Sequence, residues 1–391
     1  MKRAILIAVT ATLFAGLFSL PAHAAACTND NFADATLINT LDHSDQCDSS
    51  AATTETGEPM TSCAVGKNVG KTTWWKYTPD GSSARPLHIK VNTYASPFNT
   101  LIALWRQDGS GFAGLTPVAC NDQLGIHKTS RVTQALTIGK TYYIQAGGVS
   151  QAGGTLNLRV KPRIWHVGVV RGDDWYVNRG HDGLAEYHFV YGKSTDQFLA
   201  GDIIGHGVHT PWVRRGNLFI LNDWFDSGFV KQFSYGNSTD KALVGDWNGD
   251  EVMTPVVRRG GTWYFNNGYD GSHELSIAYG NSSDVPLVGD WNGDGIWTPG
   301  VRRGNIFYLN NGFDGAHDIA AFAYGMTSDV VVVGDWNADG KMTPGVVRGS
   351  GWYLSNGFTG VQDIPSFAYG NSTDKKIVGD WNGIVESDGA G

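Results

Sequence analysis

The chain has 391 residues, of which 37 are acidic and 29 basic, a net charge of −8 at pH 7. Loss of an N-terminal leader that carries Lys2 and Arg3 and no acid takes this to −10, a balance that argues against nucleic-acid and anionic-membrane partners. With 52 glycines, 14 tryptophans and few long helical periodicities, the composition favours an all-β protein, and the length suggests two domains.

Residues 1–24 read as a signal peptide. A basic "MKR" precedes the apolar run "AILIAVTATLFAGLFSL", and Ala22-His23-Ala24 has the small-x-small pattern of a signal-peptidase site. A polar sequence follows, and nothing later is apolar for long enough to span a bilayer. The mature chain is expected to be secreted and soluble, with the periplasm as the alternative location and no membrane insertion.

Residues 25–162 hold short β-rich runs, among them "TTWWKYTP", "LHIKVNTY", "TLIALWR", "TYYIQAGG" and "TLNLRVKP". Turn-forming clusters separate them at the spacing of a β-sandwich. All four cysteines, Cys27, Cys47, Cys63 and Cys120, lie here. An even count in an exported chain reads as two disulfides, with three pairings open. Asp30, Glu58, Asn121 and Asp122 are read as turn-capping residues in preference to a cation site.

Several motifs of this segment occur in a familiar order: "NDNFADATLI" (29–38), "TTETGEP" (53–59), "TTWWKYTP" (72–79), "PFNTLIALW" (97–105), "VACND" (118–122) and "GKTYYIQAGG" (139–148). Together they resemble the bacterial pre-peptidase C-terminal domain, a jelly-roll-like sandwich. The resemblance implies an accessory module of an exported protein, associated with export or adhesion and not with bond cleavage.

From residue 163 the chain repeats. Tyr-Gly recurs at 191, 235, 279, 324 and 369, and Gly-Asp at 201, 245, 289, 334 and 379. Both markers advance by 44, 44, 45 and 45 residues. A period in the forties with four short strands per unit is the signature of a propeller blade, so residues 163–391 are expected to form a five-bladed β-propeller. The segment opens on "WHVGVVRG", which aligns with a second strand, and ends on "KKIVGDWNG", which aligns with a first strand. Pairing of the two ends would complete the fifth blade and leave no free edge there.

Between the first and second strands lie "DWNGDE" (246–251), "DWNGDG" (290–295) and "DWNADG" (335–340). Oxygens at alternate positions of a tight loop suit a hard cation. Asp246, Asn248 and Asp250, Asp290, Asn292 and Asp294, and Asp335, Asn337 and Asp339 are the candidate ligands. In this position the motif resembles the FG-GAP repeat of integrin-alpha-type propellers, and the resemblance implies calcium. The chain departs from that pattern at loop position nine, where Thr254, Thr298 and Thr343 replace an acid. The loop "GDIIGHGVHTP" keeps Asp202 but carries His206 and His209, and reads as a degenerate surface loop.

Catalytic signatures are missing: there is no G-x-S-x-G and no H-E-x-x-H, and the histidines are scattered. Trp247, Trp291, Trp336 and Trp381 recur once per unit and read as wedges between blades. Tyr269, Phe313 and Phe358, in the hairpin turns, are the better ligand candidates because they are expected further from the core. The Arg-Arg pairs at 214–215, 258–259 and 302–303 read as ion pairs with neighbouring acids. The sequence thus points to a non-catalytic adhesion or recognition protein whose partner is an extracellular glycan or surface protein. A secreted peptidase or glycosidase, or an accessory chain of one, is the alternative.

Overall fold

A computed structural model describes residues 24–82, 87–122, 128–205, 207–222 and 230–381. The leader read from the sequence lies, up to residue 23, outside them, as do His206 and Asn382. The described residues form strands and three short 3-10 turns, with no α-helix.

Nine strands build the N-terminal unit: β1 Thr36–Ile38, β2 His43–Asp48, β3 Val69–Tyr77, β4 His88–Asn92, β5 Thr100–Gln107, β6 Leu115–Asn121, β7 Arg131–Ala135, β8 Tyr142–Val149 and β9 Thr155–Pro162. They make two sheets, in the orders β1-β3-β8-β5-β6 and β2-β9-β4-β7. Alternation drives the packing: Leu156, Leu158 and Val160 of β9 point inward and meet Trp75, Ile102, Leu104 and Ile144 of the facing sheet. Trp74, next to Trp75, points the other way and is buried with Trp105 beneath Phe32 and Phe112. Cys27 is bonded to Cys47 and Cys63 to Cys120, which selects one of the three open pairings.

The four residues considered for a cation site do four separate jobs. Asp30 accepts from the backbone and hydroxyl of Thr53, and Glu58 accepts from the Gln145 amide. Asn121 accepts from the backbone of Arg131, and Asp122 pairs with Lys67.

Twenty further strands follow: β10 His166–Arg171, β11 Asp174–Asn178, β12 Tyr187–Val190, β13 Gln197–Gly201, β14 Thr210–Arg215, β15 Leu218–Leu221, β16 Lys231–Ser234, β17 Lys241–Gly245, β18 Thr254–Arg259, β19 Thr262–Phe265, β20 Leu275–Ala278, β21 Val285–Gly289, β22 Thr298–Arg303, β23 Ile306–Leu309, β24 Ile319–Ala323, β25 Val330–Gly334, β26 Thr343–Arg348, β27 Gly351–Leu354, β28 Phe367–Ala368 and β29 Lys375–Gly379. They form five four-stranded antiparallel sheets. Four of these take their strands consecutively, from β13 to β28. The first sheet has the order β12-β11-β10-β29. Its β10 pairs with β29 from His166 opposite Gly379 to Val170 opposite Lys375, so the last strand of the chain completes the first sheet.

Burial falls outward across each sheet. Second strands are buried on both faces and end in an exposed arginine, third strands alternate, and fourth strands such as β16 and β20 are mostly exposed. The first strands touch in a closed order: β13 with β17, β17 with β21, β21 with β25, β25 with β29, and β29 with β13.

Arginines stitch the linkers between sheets. Arg171, Arg215, Arg259, Arg303 and Arg348 pair with Asp374, Asp196, Asp240, Asp284 and Asp329 at 2.8–2.9 Å. Each of these acids belongs to the linker entering the arginine's own sheet. In three linkers the preceding sheet adds a buried arginine: Arg214, Arg258 and Arg302 donate to the carbonyls of Asp240, Asp284 and Asp329. The ion-pair reading therefore holds for the second arginine of each pair, while the first serves backbone carbonyls.

Candidate functional site

The five loops that follow the first strands gather at one end of the sheets. Each is tied to its neighbour by one backbone hydrogen bond to an aspartate carbonyl. Met253 donates to Asp202, Trp297 to Asp246, Met342 to Asp290, Trp165 to Asp335 and His209 to Asp380, all at 2.7–2.9 Å. These five bonds pass through all five sheets and return to the first.

Inside each Asp-Asn-Asp loop the side chains cap their own turn. Asp290 accepts from Gly293 at 2.7 Å and Gly295 at 2.8 Å. Asp246 and Asp335 do the same with Glu251 and Gly340. The amides of Asn248, Asn292 and Asn337 donate to Asp250, Asp294 and Asp339. The fifth-position acids accept from Val252, Ile296 and Lys341. Each loop thus turns its side-chain oxygens onto its own N–H groups, and among the described residues no cluster of three or more His, Cys, Asp or Glu is placed to hold a metal ion. Position nine contributes nothing, because Thr298 and Thr343 donate instead to Asn310 and Ser355 carbonyls across the sheet. Any remaining ligands would have to be backbone carbonyls and water. The sixth position needs a left-handed backbone: Gly295 and Gly340 stand at φ 89° and 88°, and Glu251 holds 66° in the third loop, a strained conformation for a residue that carries a Cβ.

The N-terminal sandwich covers this end. Between it and the loops lies a polar cavity of about 210 Å³. His88 and Gln134 line it from the sandwich, Arg163 from the connection, and Asp246, Glu251, Asp290, Asp294 and Asp335 from the third to fifth sheets. Burial pushes the Asp290 carboxyl up to about 6. Burial, together with the nearby Asp339, pushes Asp335 up to about 7. Burial and then the Arg163 guanidinium hold the His88 imidazole well below its ordinary range. The cavity is therefore short of positive charge.

A second cavity of about 230 Å³ runs between the first strands and is lined by apolar residues such as Leu199, Leu243, Leu287, Val332 and Ile377. Trp165 and Trp297 line both cavities. Their rings lie 5.4 Å apart and separate the polar space from the apolar one.

No family model matches the chain, and no curated protein matches it. Among solved structures, a lectin of Agrocybe aegerita that recognises non-reducing terminal N-acetylglucosamine is 16% identical with a TM-score of 0.30 over 43% of this chain. The chain spans about half the length of that lectin, 50%. A Hadza microbial sialidase is 9% identical with a TM-score of 0.17, over 72% of this chain and 75% of its own. Likeness at this level carries no argument about fold or activity.

The structure corrects the placement of the hairpin-turn aromatics. Tyr269, Phe313 and Phe358 are half-buried, and each packs on the preceding sheet: Tyr269 on Trp212 and Phe233, Phe313 on Phe265, Phe358 on Phe322. The Tyr269 hydroxyl donates to the Met253 carbonyl. His181 holds the equivalent place in the first sheet and stacks on Phe367 of the fifth at 5.5 Å. The turn folds back because its polar residues cap it, Asn266 accepting from the backbones of Gly268 and Tyr269. His209 is likewise no surface residue: it is fully buried, with its ring edge-on to Trp165 at 4.5 Å. Trp247, Trp291, Trp336 and Trp381 are buried as wedges should be.

A second set of half-buried aromatics sits on the third strands, each under an arginine. Arg259 lies 5.3 Å from the ring centre of Tyr264, with His273 edge-on at 5.2 Å. Arg303 lies 5.1 Å from Tyr308, with His317 at 5.7 Å. Arg171 and His188 flank Tyr176, and Arg348 covers Tyr353. Sequence reasoning missed these rings, although a spacing of five from arginine to tyrosine recurs in four repeats; Ile220 breaks it in the second sheet.

Proposed function

We propose that this chain is an exported, non-catalytic binding protein: a five-bladed propeller, capped at one end by a sandwich, that recognises glycans at several equivalent places. The resemblances to the pre-peptidase C-terminal domain and to FG-GAP repeats belong to this reading, as does calcium at the Asp-Asn-Asp loops. The observation that carries it is the half-buried tyrosine under an arginine, repeated at Tyr176, Tyr264, Tyr308 and Tyr353. A ring whose orientation is fixed by a cation stacks on sugar C–H groups at little entropic cost, and the histidines beside three of the rings can hydrogen-bond hydroxyls. Four weak sites on one rigid ring give avidity toward a surface that displays many copies of its ligand. A glycan array read with the wild type and with tyrosine variants tests the proposal.

A second reading has its own support. Asp290 and Asp335 are carboxyls raised toward neutrality in a polar cavity, the environment that suits a general acid. A hydrolase at that cavity would lose turnover on replacement of either residue, whereas the binding reading expects no turnover to lose.

A further inference from the structure

We infer that the sandwich is an intramolecular lock on the ring, acting through Asp380. This aspartate is the first residue after β29, the strand that completes the first sheet, and it is fully buried. Its carboxylate takes the ammonium of Lys90 at 2.8 Å and the guanidinium of Arg163 at 3.4 Å. Lys90 lies on β4 of the sandwich, 290 residues away in sequence, and is itself only 1% exposed. The last strand of the ring is therefore held by a charge supplied from the first unit of the chain.

Further contacts of the sandwich among the described residues fall on either side of the same seam. On the fifth sheet, the backbone N–H groups of Leu87 and His88 both donate to the Ala338 carbonyl, at 3.1 and 3.0 Å. On the second sheet, Gly207 lies so close to Thr133 of β7 that a Cβ there would collide with the threonine hydroxyl. Gly207 also stands at φ 70°, so the loop is doubly committed to glycine at this contact. The first sheet and its two neighbours are thus clamped together from above. The third and fourth sheets meet the sandwich across the polar cavity instead.

Opening the seam means drawing a buried carboxylate away from two cations. Removing one partner of such a group leaves an uncompensated buried charge, which is strongly unfavourable, while replacing both partners by apolar groups is often tolerated. An open seam would also expose the β10 edge to other strands. The lock makes ring closure conditional on a folded sandwich.

The test is residue-resolved hydrogen exchange on the full-length chain carrying Lys90→Met. The amides of Val167, Val169 and Ile377, in the β10–β29 pairing, should exchange at least tenfold faster, while Val256 and Trp263 in the third sheet stay within twofold of wild type. The double variant Lys90→Met/Asp380→Leu should recover most of the protection, because it removes the buried carboxylate together with its ammonium and leaves Arg163 facing the Glu251 and Asp335 carboxylates of the cavity. If Lys90→Met does not fold, Lys90→Gln, which keeps a donor for Asp380, gives the same comparison. Equal acceleration in the third sheet and at the seam, or none at the seam, would overturn the lock. So would a double variant no better protected than the single one.

Discussion

The backbone N–H of His209 donates to the carbonyl of Asp380 at 2.9 Å, and this bond joins the second sheet to the strand that ends the described chain. It is the fifth of five equivalent bonds and the one that turns a row of sheets into a circuit. Three of the other four link a sheet to its predecessor in the chain, and Trp165–Asp335 ties the start of the first sheet to the fifth. This one waits for the last strand.

Removal of residues 375–391 should therefore cost far more than its length suggests. Without β29, β10 loses its pairing from His166 to Val170, and β13 and β25 lose the neighbour they share. The truncated chain is expected to melt far below the full one and to lose cooperativity in the sheets. An unchanged melting temperature would mean that closure contributes nothing to stability.

The turn aromatics and the strand tyrosines should separate cleanly under mutation. Phe313→Ala removes a ring packed edge-on against Phe265 at 5.1 Å and should cost about 2–3 kcal/mol in a denaturant titration, with little effect on ligand binding by the protein that remains folded. Tyr308→Ala, at the ring under Arg303, should cost binding more than stability. The reverse pattern would restore the turn aromatics as ligand contacts.

Glu251 invites a stabilising change. It holds φ 66° where the two sister loops carry glycine, and its carboxyl, raised by burial, lies among Arg163, which favours its charge, and Asp202, Asp246 and Asp250, which oppose it. Glu251→Gly should relieve both strain and repulsion and raise stability by about 1 kcal/mol. A loss of stability would show that the Glu251 side chain is needed in the cavity.

How much of this was legible in the sequence depends on range. The register of the repeats, the strand order within a sheet and the pairing of the two ends follow from a period and its phase, and the β10–β29 ladder matches that phase residue by residue. The tryptophan wedges followed from the same argument. The direction of the turn aromatics did not, because a period says where a ring recurs and not which neighbour it meets. The Lys90–Asp380 contact was out of reach altogether. Two charges 290 residues apart leave no local pattern, and Lys90 looks like any other alternating residue of a strand. Nothing in the loops revealed that the sandwich would settle on them.

Calcium should raise the melting temperature of the ring if the Asp-Asn-Asp loops bind it. One site at a hundredfold excess over its dissociation constant adds about 2.7 kcal/mol by mass action. The double change Asp290→Asn and Asp294→Asn should remove part of that rise and leave the sandwich untouched. Superimposable melts with calcium and with chelator would make these loops self-capped turns only.

The central claim is that this is a multivalent glycan binder and not an enzyme, and one experiment addresses it most directly. Wild type and the variant Tyr264→Ala/Tyr308→Ala/Tyr353→Ala are applied to a glycan array, and the bound glycans are then checked for cleavage. The account predicts intact glycans, binding by the wild type, and at least a tenfold loss of apparent affinity in the variant, since losing three of four sites removes most of the avidity. Undiminished binding by the variant, or cleavage that disappears with Asp290→Asn or Asp335→Asn, would contradict it.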